Sequence, residues 1–129
     1  MSILVNMEYR EFVATLFQRS VGEVVAEPDS DEEVVMALVH AAMGLSGEAG
    51  EVTDEIKKVW VNGKGLDFAK LAKELGDLRF YYQAILNELG VTDKEICELN
   101  QLKLAERFPD GVYTRQDAIV QRDKHSAKT

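Results

Sequence analysis

The sequence is poor in the residues that define several common classes of protein. Its 129 residues include one cysteine, two prolines and two histidines. A single cysteine excludes an intramolecular disulfide and supplies too few thiols for a zinc site, so we expect Cys97 to be a buried structural thiol. The scarcity of proline, with 46% hydrophobic residues, indicates an ordered, helix-rich chain rather than a disordered one.

Positive charge and long apolar runs are also scarce. The chain has 15 Lys and Arg against 23 Asp and Glu, which gives a formal net charge of −8. Non-specific binding to a nucleic-acid polymer needs basic surface that releases counterions, so this class of partner is not expected. No apolar run approaches the roughly 18 residues that a membrane-spanning helix needs. We therefore expect a cytoplasmic protein that does not bind membranes.

Apolar residues recur at helical spacing along most of the chain, and no segment alternates as a strand would. The pattern predicts helices over residues 6–20, 31–61, 68–89 and 93–107, a short helix over 115–122, and a frayed end over 123–129. Such a pattern is typical of a single all-α domain over 1–129. We predict a four-helix-bundle-like fold with antiparallel helices and terminal additions.

Caps and apolar stripes refine this prediction. Ser30, Asp67 and Thr92 are expected N-caps, and Gly90 is expected to end the third helix. Expected core-facing residues include Val34, Val35, Leu38 and Val39 on the second helix, and Ile96, Leu99, Leu102 and Leu104 on the fourth. Gly44, Gly47 and Gly50 interrupt the second helix, which points to close packing of another helix or to a bend.

Two clusters of carboxylates stand out. The first contains Glu48, Glu51, Asp54 and Glu55, and the second contains Glu74 and Asp77. Each includes an i, i+3 pair, whose side chains share one helix face about 5–6 Å apart. The first cluster would need no function if its acids lie on a solvated helix face and form ion pairs with Lys58. However, apolar residues adjoin both clusters, and acids near a core are costly unless they are paired or bind a metal.

The residue types narrow the choice of metal. Neither histidine, His40 nor His125, follows a glutamate by three residues, so the di-iron pattern Glu-x-x-His is missing. The zinc pattern His-Glu-x-x-His and a phosphate-binding glycine loop are missing too. All-carboxylate ligation favours Mg²⁺, with Mn²⁺ as the alternative. These cations commonly act on phosphates, where they polarise a phosphoryl oxygen and activate the attacking water.

Four segments together resemble the MazG-like branch of the all-α nucleoside triphosphate pyrophosphohydrolases. They are GLSGEAGEV at 44–52, KK at 57–58, KELGD at 73–77 and NQLKLAERFPDG at 100–111. The resemblance covers about residues 36–111. The acidic motif of that family is Glu-Glu-x-x-Glu, a gap, then Glu-x-x-Asp. This chain matches it with Glu48, Glu51, Glu74 and Asp77, but Gly47 stands where the first acid is expected.

The resemblance implies hydrolysis of nucleoside triphosphates, (d)NTP, to a nucleoside monophosphate and pyrophosphate with Mg²⁺. It implies metal ligation by Glu48, Glu51, Glu74 and Asp77, with Glu48 and Glu55 as catalytic carboxylates. Glu55, one helical turn after Glu51, would bind a second ion or act as general base. Substrate contacts are expected from Lys57, Lys58, Lys73, Asn100, Lys103 and Arg107. The resemblance also implies a homo-oligomer, a dimer or a dimer of dimers. A site lined by carboxylates on only two helices would be open on one side, so we expect a partner chain to close it and the active site to lie near the interface.

Several alternatives remain open at this stage. A specialised pyrophosphatase acting on dUTP or on phosphoribosyl-ATP would share the same motifs. A third hypothesis is a non-catalytic helical interaction module, because Gly47 replaces an expected acid of the motif. Trp60 would stack on the nucleobase, or else belong to the core or an interface. The lysines after the first acidic cluster would bind phosphate, or only balance the neighbouring acids.

Overall fold

The computed structural model describes residues 6–22, 31–113, 115, 116 and 119. Four helices form there: α1 (Tyr9–Gly22), α2 (Asp31–Asn62), α3 (Phe68–Leu89) and α4 (Asp93–Arg107). Within these described ranges there is no β-strand, so the all-α prediction is confirmed. Ser30, the predicted frayed end at 123–129 and part of the predicted helix at 115–122 lie outside the described residues.

The predicted ends of α3 and α4 are confirmed. Asp67 caps α3, and its Oδ1 accepts a hydrogen bond of 3.0 Å from the backbone N–H of Lys70. Gly90 ends α3 at φ 67°, in the left-handed region that favours glycine. Thr92 and Glu95 form a reciprocal capping box at the start of α4.

The chain divides into two compact units, Met1–Gly90 and Val91–Thr129. The first unit has a core where α1, α2 and α3 meet, formed by Val13, Phe17, Ala37, Ala41 and Ala84. Small alanines, rather than the larger valines, form the buried face of α2. The prediction that Val34, Val35 and Val39 face the core is wrong, because these side chains are 44%, 57% and 44% exposed.

Helices α2 and α3 lie side by side, and residues later in α2 contact residues earlier in α3. Near the start of the shared length, the space beside Gly44 is filled by the ring of Tyr81. Further along, Glu48 lies near Asp77, and beyond it Glu55 contacts Lys70. The helices therefore run in opposite directions, and this brings the acidic segments of α2 and α3 together.

Helix α1 packs on α3 through polar and aromatic contacts as well as through the core. The Asn87 amide donates a hydrogen bond of 3.1 Å to the backbone oxygen of Arg10. The Arg79 guanidinium lies over two rings, 5.2 Å from the centroid of Tyr9 and 5.0 Å from that of Tyr82. These contacts fix the first turns of α1 beside α3, near the acidic residues.

The second unit contains α4 and the turn that follows it. Gly111, at φ 69°, donates a backbone hydrogen bond of 3.0 Å to Phe108, whose ring packs on that of Tyr113. Two expectations for α4 are wrong. Leu99, Leu102 and Leu104 are 63%, 70% and 39% exposed rather than buried, and Cys97 is an exposed thiol. Among the described helices, none has a stretch long and apolar enough to cross a membrane.

Candidate active site

Three carboxylates from α2 and α3 converge in the first unit. Glu48, Glu74 and Asp77 each place one carboxylate oxygen within 4.8 Å of the others. Glu74 and Asp77 share a face of α3 because they are three residues apart, and the reversed direction of α2 brings Glu48 opposite them. We call these three residues the acidic triad.

The electrostatics of the triad oppose full ionisation. The pKa of Glu48 is raised by burial, then by the negative charges of Asp77, Glu74 and Glu51. Burial and like charge both disfavour the charged form of a carboxyl. A cation among these oxygens would offset both effects, so the arrangement favours binding of positive charge.

The triad fits a hard divalent cation. Carboxylate oxygens are the ligands that Mg²⁺ prefers, at about 2.0–2.1 Å, so neighbouring ligands of one octahedral ion lie about 2.9 Å apart and opposite ligands about 4.2 Å apart. The three oxygens, within 4.8 Å of one another, would move closer together on binding such an ion. Glu51, the fourth predicted ligand, is exposed and is not among the three grouped oxygens.

A second cluster lies one to two turns further along α2. Oε1 of Glu55 accepts hydrogen bonds from two lysines, at 2.7 Å from Nζ of Lys58 and 2.8 Å from Nζ of Lys70. Glu55 is only 8% exposed. The hydrogen bonds from Lys58 and then Lys70 hold the pKa of Glu55 below its usual value. The structure thus surrounds the predicted catalytic Glu55 with positive charge.

An open cavity of about 370 Å³ adjoins this cluster, and we call it the lysine-lined cavity. Its lining residues come from α2 and the start of α3: Glu51, Asp54, Glu55, Lys57, Lys58, Val61, Asn62 and Lys70. The structure therefore brings together Lys57, Lys58 and Glu55 from the predicted site. Sequence reasoning missed Lys70, because its contact with Glu55 joins two helices and leaves no local pattern.

A larger open cavity of about 540 Å³, the aromatic cavity, lies beside the triad. Glu48 and Asp77 form part of its wall, and the remaining lining comes from α1 and α3: Tyr9, Phe12, Leu16, Gly76, Phe80 and Tyr81. An apolar cavity with a few converging polar groups is typical of a small-molecule site. The sequence did not reveal it, since α1 carries no residue of the acidic motif.

The other predicted contact residues lie elsewhere. Lys73 is exposed on α3, and Trp60, 88% exposed near the end of α2, lines neither cavity. Asn100, Lys103 and Arg107 lie on α4, in the second unit. Contact of these residues with substrate stays a prediction.

Comparisons with known proteins identify the family of the chain. The profile of the MazG nucleotide pyrophosphohydrolase domain matches residues 39–112, a segment that includes the whole triad and both lysines bound to Glu55. The chain is also 29% identical over 102 residues to the Gene 37 protein of Mycobacterium phage L5, covering 75% of this chain and 90% of the relative. No solved structure gives a significant match. Because the profile spans more than half of its length, the chain belongs to the MazG nucleotide pyrophosphohydrolase domain family.

Proposed function

We propose that this protein is a Mg²⁺-dependent nucleotide pyrophosphohydrolase that converts (d)NTPs to the monophosphate and pyrophosphate. The observation that carries the proposal is the acidic triad, three carboxylate oxygens within 4.8 Å of one another on α2 and α3. Membership of the family supports the reaction class. Mn²⁺ is the alternative cation, because its ligand preferences are similar.

Binding of the cation is assigned to Glu48, Glu74 and Asp77, with Glu51 as a further ligand from the adjacent turn of α2. A bound Mg²⁺ would supply Lewis-acid polarisation of the phosphate oxygens and neutralise their charge. The residues of the site would orient the triphosphate so that water attacks the α-phosphorus, and the bond from that phosphorus to the bridging oxygen breaks as pyrophosphate leaves. A carboxylate of the site that does not bind the cation would accept the proton of that water.

The aromatic cavity is the best candidate site for the nucleoside. It shares Glu48 and Asp77 with the triad, so a base and sugar bound there would lie next to the metal-bound phosphates. The rings of Tyr9 and Phe12 are stacked at 6.0 Å, and Phe80 meets Tyr81 edge to face at 5.3 Å. Aromatic side chains that line a cavity suit contact with a planar base. This assignment replaces Trp60 as the proposed base contact.

A homodimer, or a dimer of dimers, belongs to the same proposal. Large apolar side chains are exposed on α2 and α3, including Met43 at 72%, Ile56 at 51%, Phe68 at 76% and Trp60 at 88%. A partner chain would cover such exposed apolar side chains, and two-fold dimers are the commonest oligomers. The proposal also includes a reducing, cytoplasmic environment, a single domain over 1–129 and a complete antiparallel bundle. Sedimentation analysis of wild type and Met43→Lys tests the oligomer, since a buried lysine would weaken the interface.

The substrate panel is the decisive experiment. Pyrophosphate release is measured for the eight common NTPs and dNTPs, for dUTP and for phosphoribosyl-ATP, with Mg²⁺, with Mn²⁺ and with EDTA. We expect release from several nucleotides that EDTA abolishes, and loss of release in Asp77→Asn. Glu98→Gln, which removes an exposed carboxylate on α4, is the matched control and should retain activity.

The same panel separates the other readings. Release from dUTP alone, or from phosphoribosyl-ATP alone, would assign the protein to a specialised pyrophosphatase. No release from any nucleotide at micromolar enzyme would overturn the enzymatic proposal and leave the non-catalytic interaction module.

A further inference from the structure

The contact between Glu55, Lys58 and Lys70 has a geometry that simple surface pairing does not require. Both ammonium groups bind the same oxygen, Oε1, at 2.7 and 2.8 Å. Glu55 is 8% exposed, whereas the lysine side chains are 46% and 49% exposed. The carboxylate is therefore largely covered from solvent, while the two lysine side chains that contact it are about half exposed.

The charges within this cluster do not cancel. One carboxylate faces two ammonium groups, which leaves a charge of +1 on these three groups, while Lys57, Glu51 and Asp54 complete a cavity lining that is neutral as a whole. Each ammonium has three N–H donors and uses one on Glu55, so Lys58 and Lys70 retain donors for another acceptor. Without Glu55 the two like charges would repel, and both long side chains would regain rotamer freedom.

The remaining donors border the lysine-lined cavity. That cavity, about 370 Å³, also includes Glu51, which lies one turn from Glu48 of the triad. An anion in this cavity would therefore lie close to a cation held by the triad. A nucleotide whose α-phosphate lies at the cation would have its outer phosphates within reach of the cavity.

We propose that Glu55 is a positioning residue that holds Lys58 and Lys70 together as a binding site for the β- and γ-phosphates, the part that leaves as pyrophosphate. This inference rests on the proposed function. It gives Lys70 a substrate-binding role and assigns Glu55 a role other than general base. The lowered pKa of Glu55 agrees, because a weaker base accepts a proton from water less readily.

The kinetic test compares wild type, Lys70→Met, Lys70→Arg, Glu55→Gln and the double variant Glu55→Gln/Lys70→Met, with Lys64→Met in the connection after α2 as control. With the best nucleotide of the panel, Lys70→Met should raise KM about tenfold or more, as for a lost charge-assisted hydrogen bond. Lys70→Arg should restore most of the affinity. Glu55→Gln should raise KM about three- to tenfold, while kcat and the acidic limb of its pH profile change little.

Coupling between the two residues is the second readout. If Glu55 acts through the lysines, the effects of Glu55→Gln and Lys70→Met on KM should be clearly less than additive. A fall in kcat of about 100-fold or more in Glu55→Gln, with KM unchanged and the acidic limb lost, would instead identify a general base and overturn the inference. If every variant has a lower melting temperature but an unchanged KM, the cluster is only a structural ion pair and the inference is overturned.

Titration with inorganic pyrophosphate separates this inference from the reaction itself. Calorimetry with pyrophosphate and Mg²⁺ should show binding to wild type and to Lys64→Met, and about tenfold weaker binding to Lys70→Met. If wild type hydrolyses no nucleotide but shows this pattern, the proposed function fails while the anion site stands. Equal affinity in wild type and Lys70→Met would overturn the anion site even if hydrolysis occurs.

Discussion

The ring of Tyr81 fills the space that a Cβ atom at Gly44 would occupy. This contact lies on the side of α2 that carries the buried alanines, and it allows α3 to lie close to the α2 backbone. By contrast, a Cβ at Gly47 would meet nothing within 4 Å. Of these two glycines, three residues apart in one helix, only Gly44 is required by its packing against a neighbouring side chain.

Alanine substitutions at the two glycines should change the free energy of unfolding in opposite directions. Gly44→Ala should destabilise the protein by about 1–3 kcal/mol, because the methyl group would displace the Tyr81 ring. Gly47→Ala, the matched control, should stabilise it by up to about 1 kcal/mol, since alanine favours helix over glycine. Urea unfolding followed by circular dichroism measures both. Equal effects of the two substitutions would contradict the close contact.

Substitutions in the triad should separate metal binding from folding. Asp77→Asn or Glu74→Gln should lower kcat/KM by about 100-fold or more, because a cation that stabilises charge contributes several kcal/mol. Both variants should stay helical, since the loss of a negative charge relieves repulsion. Glu51→Gln should have a smaller effect, because Glu51 is outside the group of three oxygens.

Thermal melting gives a readout that does not depend on activity. Mg²⁺ in large excess over its dissociation constant should raise the melting temperature of wild type, because it binds only the folded state. The increase should be lost or reduced in Asp77→Asn and retained in Glu98→Gln. An equal increase in wild type and Asp77→Asn would show that Asp77 is not a ligand.

The stability of the metal-free protein should respond to pH in opposite ways at two glutamates. The pKa of Glu48 is raised in the folded state by burial and nearby acids, so the folded state binds the extra proton. That contribution favours folding below the usual value of 4.5 and is lost as pH rises through the folded pKa. The pKa of Glu55 is lowered by its two lysines, so its contribution is present above 4.5 and is lost as pH falls.

Urea unfolding in EDTA between pH 3 and pH 7 tests these signs. Relative to wild type, Glu48→Gln should gain stability as pH rises, and Glu55→Gln should lose it. Glu98→Gln should follow wild type closely, because its exposed ion pair contributes little. A parallel pH dependence in all three variants would mean that neither glutamate is perturbed.

Arg79 should stabilise the packing of α1 on α3 through its two ring contacts. Arg79→Lys should cost about 1–2 kcal/mol, because an ammonium cannot stack its charge on Tyr9 and Tyr82 as a planar guanidinium does. Tyr9→Phe keeps the ring face and should cost less. Denaturant unfolding of both variants decides the point, and no loss in Arg79→Lys would show that the stacking is not stabilising.

Local signals made much of the fold predictable. Asp67, Gly90 and Thr92 act within a few residues of their own position, so they fixed the ends of α3 and α4 correctly. The i, i+3 spacing of Glu74 and Asp77 likewise predicted a shared face. These features depend on the backbone geometry of a single helix, which the sequence pattern carries directly.

Features that depend on packing between helices were harder to predict. The segment of α2 from Val34 to Met43 is apolar over most of its circumference, so the pattern could not decide between the alanine face, which is buried, and the face of Val35, which is exposed. The contact between Glu55 and Lys70 and the aromatic cavity also arise only when two or three helices meet. The apolar residues left exposed on α2 and α4 explain why a stripe alone did not identify the core.

The connection 63–67 between α2 and α3 has a consequence for how the chain folds. Closing so short a loop costs little entropy, so this hairpin can form early and quickly. Closure, however, brings Glu48 against Glu74 and Asp77, which opposes the same step. A divalent cation that removes this repulsion during closure should speed refolding rather than only slow unfolding. The acids proposed for nucleotide hydrolysis would then also make the folding rate sensitive to the concentration of free Mg²⁺.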